Sequence, residues 1–175
     1  MNIVVVCTGN VARSVMLGYM LITLGEASGQ DWRVRTGGTH AIEGSAMSSR
    51  TRTALETIEE LAGHHFNAHR SHQIDDDDVA WADVVVAVEA AHVHFLRRHF
   101  APATPKVVQL HQFVRFAALD GSLNDQLAGL AMIEPDAAFD IVDPAGADQE
   151  FYNACALELW ELAQVFALLV GEETD

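Results

Sequence analysis

The stretch Asn2-Ile3-Val4-Val5-Val6-Cys7-Thr8-Gly9-Asn10-Val11-Ala12-Arg13-Ser14 decides how the rest of the chain is read. Asn2 to Val6 is a short, β-branched apolar run, the pattern of a strand buried on both faces. Thr8 and Gly9 are small enough to let the backbone approach a ligand, and Asn10 suits a left-handed bend. From Arg13 to Glu26 the periodicity predicts a helix, with Val15, Met16, Tyr19, Met20 and Ile22 to Leu24 on its apolar face. The unit is therefore strand, tight loop, helix.

Further along, Trp32 to Thr36 reads as a second strand, ended by Gly37-Gly38. Met47 to Ala62 reads as a helix that Gly63 stops, with Ala54, Leu55, Ile58 and Leu61 at helical spacing. Val84 to Val88 and Lys106 to Leu110 read as strands, and Ala90 to Arg98 as the helix between them. Residues Gln112 to Leu130 suggest helical pieces broken by Gly121 and Gly129, and Glu134 to Gly146 a proline-bearing loop. Gln149 to Val170 completes the chain as a long helix. Alternation of short apolar strands with helices predicts a doubly wound α/β fold, a parallel sheet with helices on both faces. No linker divides residues 1–175, so a single domain is expected.

The net charge of −15 disfavours nucleic acid and anionic membrane surfaces as partners. An anionic group could bind only where the chain builds a local positive site. The longest apolar runs fall short of a membrane span, and no signal peptide is apparent at the N-terminus, so a cytoplasmic location is expected. Two cysteines, Cys7 and Cys155, cannot make a disulfide scaffold or a zinc ribbon.

In an open α/β sheet, ligands bind at the carboxyl ends of the strands. The loop after Val6 lies there. Successive backbone N–H groups of such a loop can converge on an oxyanion, and the following helix adds its positive end. Arg13, six residues after Cys7, can grip two phosphate oxygens as a fork. The same field favours Cys7 as thiolate, a nucleophile. Ser14 could donate its hydroxyl to that sulfur. Attack on phosphorus gives a phosphocysteine, and the leaving oxygen then needs a proton. Asp143, stiffened by Pro144 in the loop before the last helix, is the candidate acid. A Cys–Arg pair at this spacing is weak evidence alone; its place between a strand and a helix, with Ser14 next, makes it informative.

These residues resemble the low-molecular-weight protein tyrosine phosphatases. The resemblance rests on Val6 to Ser14, Thr36-Gly37-Gly38-Thr39, His69-Arg70-Ser71 and Asp143-Pro144-Ala145-Gly146, in order along nearly the whole chain. It implies a four-stranded parallel sheet, phosphate bound by Thr8, Gly9, Asn10, Val11, Ala12, Arg13 and Ser14, and no metal or other cofactor. It also implies that Cys7 is the nucleophile, Arg13 the clamp and Asp143 the acid, with Asn10, Ser14 and His69 bracing the loop. The expected activity is hydrolysis of a phosphomonoester, foremost phosphotyrosine in a protein. Arsenate reduction with an external thiol and non-catalytic phosphoprotein binding are the alternatives.

The departures are specific. Ala12 stands where many relatives carry a second Cys that can protect the nucleophile, and Val15 where Pro is common. Ala145 and the segment His40-Ala41-Ile42-Glu43 lack the usual cleft aromatics, for which Tyr152 or Phe151 could substitute. Val11 is branched and apolar, as in tyrosine-directed members, where phosphoarginine-directed members tend to carry Thr. His40 and Glu43 are expected near the cleft. The nine histidines are expected to be surface residues apart from His69, and Asp75 to Asp78 a solvated helix start.

Overall fold

The computed structural model describes residues 1–118, 121–131 and 133–171. Four strands form one parallel sheet: β1 (Asn2–Cys7), β2 (Arg33–Gly38), β3 (Val84–Ala87) and β4 (Val107–Gln109). Their order is β2-β1-β3-β4. The helices are α1 (Arg13–Ala27), α2 (Ser49–Leu55), α3 (Asp76–Trp81), α4 (Ala90–His99), α5 (Leu110–Phe116), α6 (Leu123–Leu130) and α7 (Gln149–Gly171).

Alternation along β1 shows how both faces are covered. Ile3, Val5 and Cys7 join a large apolar cluster with residues of α1, α2, α5 and α7. Val4 and Val6 face the other way, into a cluster with Val79 of α3 and Val93 and Leu96 of α4. Because β1 is central and doubly covered, a continuous apolar run was its correct signature. Chain reversal between β1's neighbours puts the ends of β1 and β3 at the switch point where such sheets bind ligands.

Gly129, expected to break a helix, lies inside α6, and two further stretches differ from the sequence reading. The helix expected over residues 47–62 stops at Leu55, and a single 3-10 turn follows at Glu59–Leu61. The Thr57 hydroxyl donates to the Ala54 carbonyl at 2.7 Å, and Ile58 is extended. A side-chain donor thus takes an end carbonyl, while β-branched Thr57 and Ile58 resist another turn. Ile58 and Leu61 are buried nonetheless, which is why their spacing imitated a helix. At Asp75 to Asp78 the helix start is real: the Asp75 carboxylate accepts from the Asp78 N–H and caps α3. Asp78 is not solvated, however; it is buried and paired with Arg35 and His72.

Helix α7 is 23 residues long and apolar enough, by length and composition, to cross a membrane. One face of it supplies Cys155, Leu159, Phe166 and Leu169 to the main core, against α1, α2 and α5.

Candidate active site

Cys7 is the last residue of β1, and its sulfur lies at the base of the loop that leads into α1. Asn10 bends the loop with φ 52°, the only non-glycine positive φ among the described residues. Four bonds hold it there. Its Nδ2 donates to Ser14 Oγ at 2.9 Å, and its Oδ1 accepts from the His72 N–H at 2.9 Å. Its carbonyl lies 2.8 Å from His69 Nε2, which must be the protonated nitrogen. Its own N–H donates to Cys7 Sγ at 3.3 Å. Burial pushes the His69 imidazole below its ordinary value, which keeps it neutral as a donor.

Ser14 Oγ is 3.0 Å from Cys7 Sγ. Since that oxygen already accepts from Asn10, its proton is free to point at the sulfur. The sulfur therefore receives an N–H and an O–H. The first turn of α1 has no acidic residue and no side-chain cap at Ala12, so its N–H groups remain open to an anion. On the outer side, the Thr51 hydroxyl and the Ser48 N–H both donate to the Val11 carbonyl, so α2 clamps the loop from behind.

Arg13 is 1% exposed. Its guanidinium donates to the Ile141 carbonyl at 2.8 Å, to Asp143 Oδ2 at 2.6 Å and to Glu89 Oε1. Asp143, half-exposed at the cleft, also accepts from the Ala145 N–H at 3.0 Å. Of the sequence-predicted trio, Arg13 and Asp143 meet directly, and Cys7 stands at the base of the loop that ends at Arg13, with Asn10, Ser14 and His69 around it.

Glu89 and His92 were not singled out in the sequence. Glu89 lies between β3 and α4, at the carboxyl end of the strand beside β1, and that position was the available signal. His92 is 3% exposed and contacts Thr8 Oγ1 at 2.9 Å, contrary to the expectation of a surface histidine. Burial, with the Arg13 charge beside it, pushes its imidazole down to about 4.

The other histidines do not converge. His64 pairs with the Thr23 hydroxyl and Tyr19 ring, and His40 leans on Phe95. Among the described residues, His72, Asp75 and Asp78 could together face a cation, yet both ring nitrogens of His72 already meet carboxylates, of Glu43 and Asp78. Glu43 also accepts from the Gln73 N–H. Tyr152 is buried in the main core. Burial pushes the Cys155 thiol up to about 12, so it stays a neutral, inert group.

A family model described as low molecular weight phosphotyrosine protein phosphatase matches residues 2–129. The chain belongs to this family. Two curated relatives are named as protein-arginine-phosphatases. That of Geobacillus stearothermophilus is 31% identical over 158 residues, 90% of this chain and 88% of the relative. That of Bacillus subtilis is 28% identical over 167 residues, 95% of each chain. A low molecular weight protein tyrosine phosphatase from T. tengcongensis is a similar solved structure, with a TM-score of 0.76, 26% identity, and coverage of 95% of this chain and 97% of that one. Phosphatase activity on a phosphorylated protein is the function this membership carries.

Proposed function

We propose that this member of the family hydrolyses phosphotyrosine in proteins through a phosphocysteine on Cys7. The observation that carries the reading is a sulfur with two hydrogen-bond donors, one of them Ser14 at the start of α1, together with Asp143 on the guanidinium of the adjoining Arg13. Phosphate entering the loop takes the Arg13 fork from Asp143. The released carboxyl, protonated, hands its proton to the leaving oxygen as Cys7 Sγ bonds to phosphorus. Asp143 then takes a proton from the water that attacks the phosphocysteine, and Ser14 steadies the departing sulfur. Glu89 stays with Arg13 and keeps it aimed.

Phosphotyrosine is favoured by an aliphatic rim. Val11 is apolar at the loop, and Ile42 and Val142, in the two loops beside it, are 78% and 60% exposed. A phenyl ring gains from such contacts, whereas a guanidinium needs acceptors. Phosphoarginine is the second reading, supported by the names of both curated relatives and by the two carboxylates, Glu89 and Asp143, at the phosphate site. A cytoplasmic location belongs to this proposal, since both cysteines are free thiols.

The test is hydrolysis of para-nitrophenyl phosphate, a phosphotyrosine peptide and a phosphoarginine peptide by reduced protein, with Cys7→Ser and Asp143→Ala alongside. Turnover abolished by Cys7→Ser and slowed about 10²–10⁴-fold by Asp143→Ala is expected. A wild type inactive on all three would sink the proposal, and faster turnover of phosphoarginine would replace its substrate.

A further inference from the structure

His92 is the one buried histidine of the cleft whose second nitrogen has no partner. Its Nε2 is 2.9 Å from Thr8 Oγ1 and 3.5 Å from Glu89 Oε2, while its Nδ1 is buried without a hydrogen bond. The proton therefore belongs on Nε2. There a single N–H faces two acceptors, and only a bare lone pair is buried at Nδ1. On Nδ1 the proton would be a buried, unpaired donor, and the Nε2 lone pair would oppose the Glu89 carboxylate.

This tautomer has a consequence for Thr8. Its oxygen accepts from His92, so its own O–H must go elsewhere. Among the described residues no protein acceptor takes it; the only side-chain bond of Thr8 is the one to His92. Thr8 directly follows Cys7, is exposed, and has its carbonyl fixed by the His40 N–H at 2.8 Å. The free hydroxyl proton is thus held beside the oxyanion loop on a backbone that cannot turn away.

We propose that His92 is a positioning residue that presents the Thr8 hydroxyl as a hydrogen-bond donor to an oxygen of the bound phosphoryl group. The chain of contacts runs from Arg13 through Glu89 and His92 to Thr8, so the charged clamp and the neutral donor are set by one carboxylate. The inference rests on phosphate binding at the loop, which is part of the proposed function, but not on turnover.

Two measurements test it on the reduced full chain. Long-range proton–nitrogen correlation spectra at neutral pH should show His92 neutral and protonated at Nε2; an Nδ1–H or doubly protonated ring overturns the inference. Calorimetric binding of inorganic phosphate should weaken about tenfold in Thr8→Val and in His92→Leu, with Thr8→Ser near wild type. His92→Gln, whose amide nitrogen reaches the same place, should recover part of the loss. The double variant Thr8→Val/His92→Leu should bind no worse than either single one, because both remove one contact. Additive losses, or unchanged affinity in folded Thr8→Val, would overturn it. Should His92→Leu not fold, the Thr8 variants and His92→Gln decide alone. Wild type that binds phosphate yet hydrolyses no substrate would end the proposed function and leave this inference standing. Turnover in wild type with Thr8→Val binding phosphate normally would do the reverse.

Discussion

His92 and His72 respond to acid in opposite directions. His92 is held down to about 4 by burial and by Arg13, so only the unfolded chain takes up its proton between its ordinary value, about 6.5, and about 4. Folding stability is therefore lost as pH falls through that window, by an amount on the order of 3 kcal/mol at its lower end. His69, lowered by burial, adds to the loss. His72 is also partly desolvated, but its bonds to Glu43 and Asp78 and their charges outweigh this and raise it. Its contribution is complete below about 6.5 and fades as pH climbs through the raised value. Chemical denaturation of wild type between pH 4 and 8 should show the acid-side decline, and His92→Gln should flatten it. An equally steep decline in that variant would show that other groups carry it. The role of His92 was hidden from sequence because its partner Thr8 lies far along the chain, whereas the His69 brace on Asn10 was expected only from the family resemblance.

At the scale of elements, the end of β2 is the tightest constraint on the loop. A Cβ added at Gly38 would lie 2.6 Å from the Thr8 carbonyl oxygen and 3.0 Å from the Asn10 nitrogen, both backbone atoms that cannot swing aside. Gly38→Ala should therefore push on the loop itself, costing about 1–3 kcal/mol in denaturation and weakening phosphate binding together. Loss of stability with unchanged phosphate affinity would place the strain elsewhere. Such a glycine was legible as a strand terminus but not as a wall, since nothing local records which backbone lies opposite. Strands β1 and β3 were the most legible elements, because burial on both faces leaves an unbroken apolar run. The end of α2 was the least, because Ile58 and Leu61 are buried whether or not the helix continues. At the site, Cys7, Arg13 and Asp143 could be picked from spacing and turn chemistry. Glu89 was not picked, because its one signal, a carboxylate at the carboxyl end of a strand, gains its role from the Arg13 guanidinium 76 residues away.

The whole molecule carries −15 while its proposed substrate is a dianion, so long-range forces oppose their encounter. Raising ionic strength from about 0.01 to 0.15 M shortens the screening length from about 30 to 8 Å. kcat/KM for a small dianionic substrate should rise over that range, with kcat little changed; a fall would mean that the local positive field of the loop dominates capture. What meets the substrate on arrival is an occupied clamp, since Asp143 already sits on Arg13. The carboxylate is in effect a rival ligand on a short tether, present at a high effective concentration that dilution cannot lower. Measured phosphate affinity is then the intrinsic affinity reduced by the fraction of time the tether has let go. If it lets go about a tenth of the time, Asp143→Ala should bind inorganic phosphate about tenfold more tightly than wild type, even as it turns over more slowly. Loss of a nearby negative charge acts in the same direction, and weaker binding would mean that Asp143 shapes the site rather than guarding it. On that expectation a weakly held anion such as free phosphate loses to the tether, while a substrate with further contacts does not.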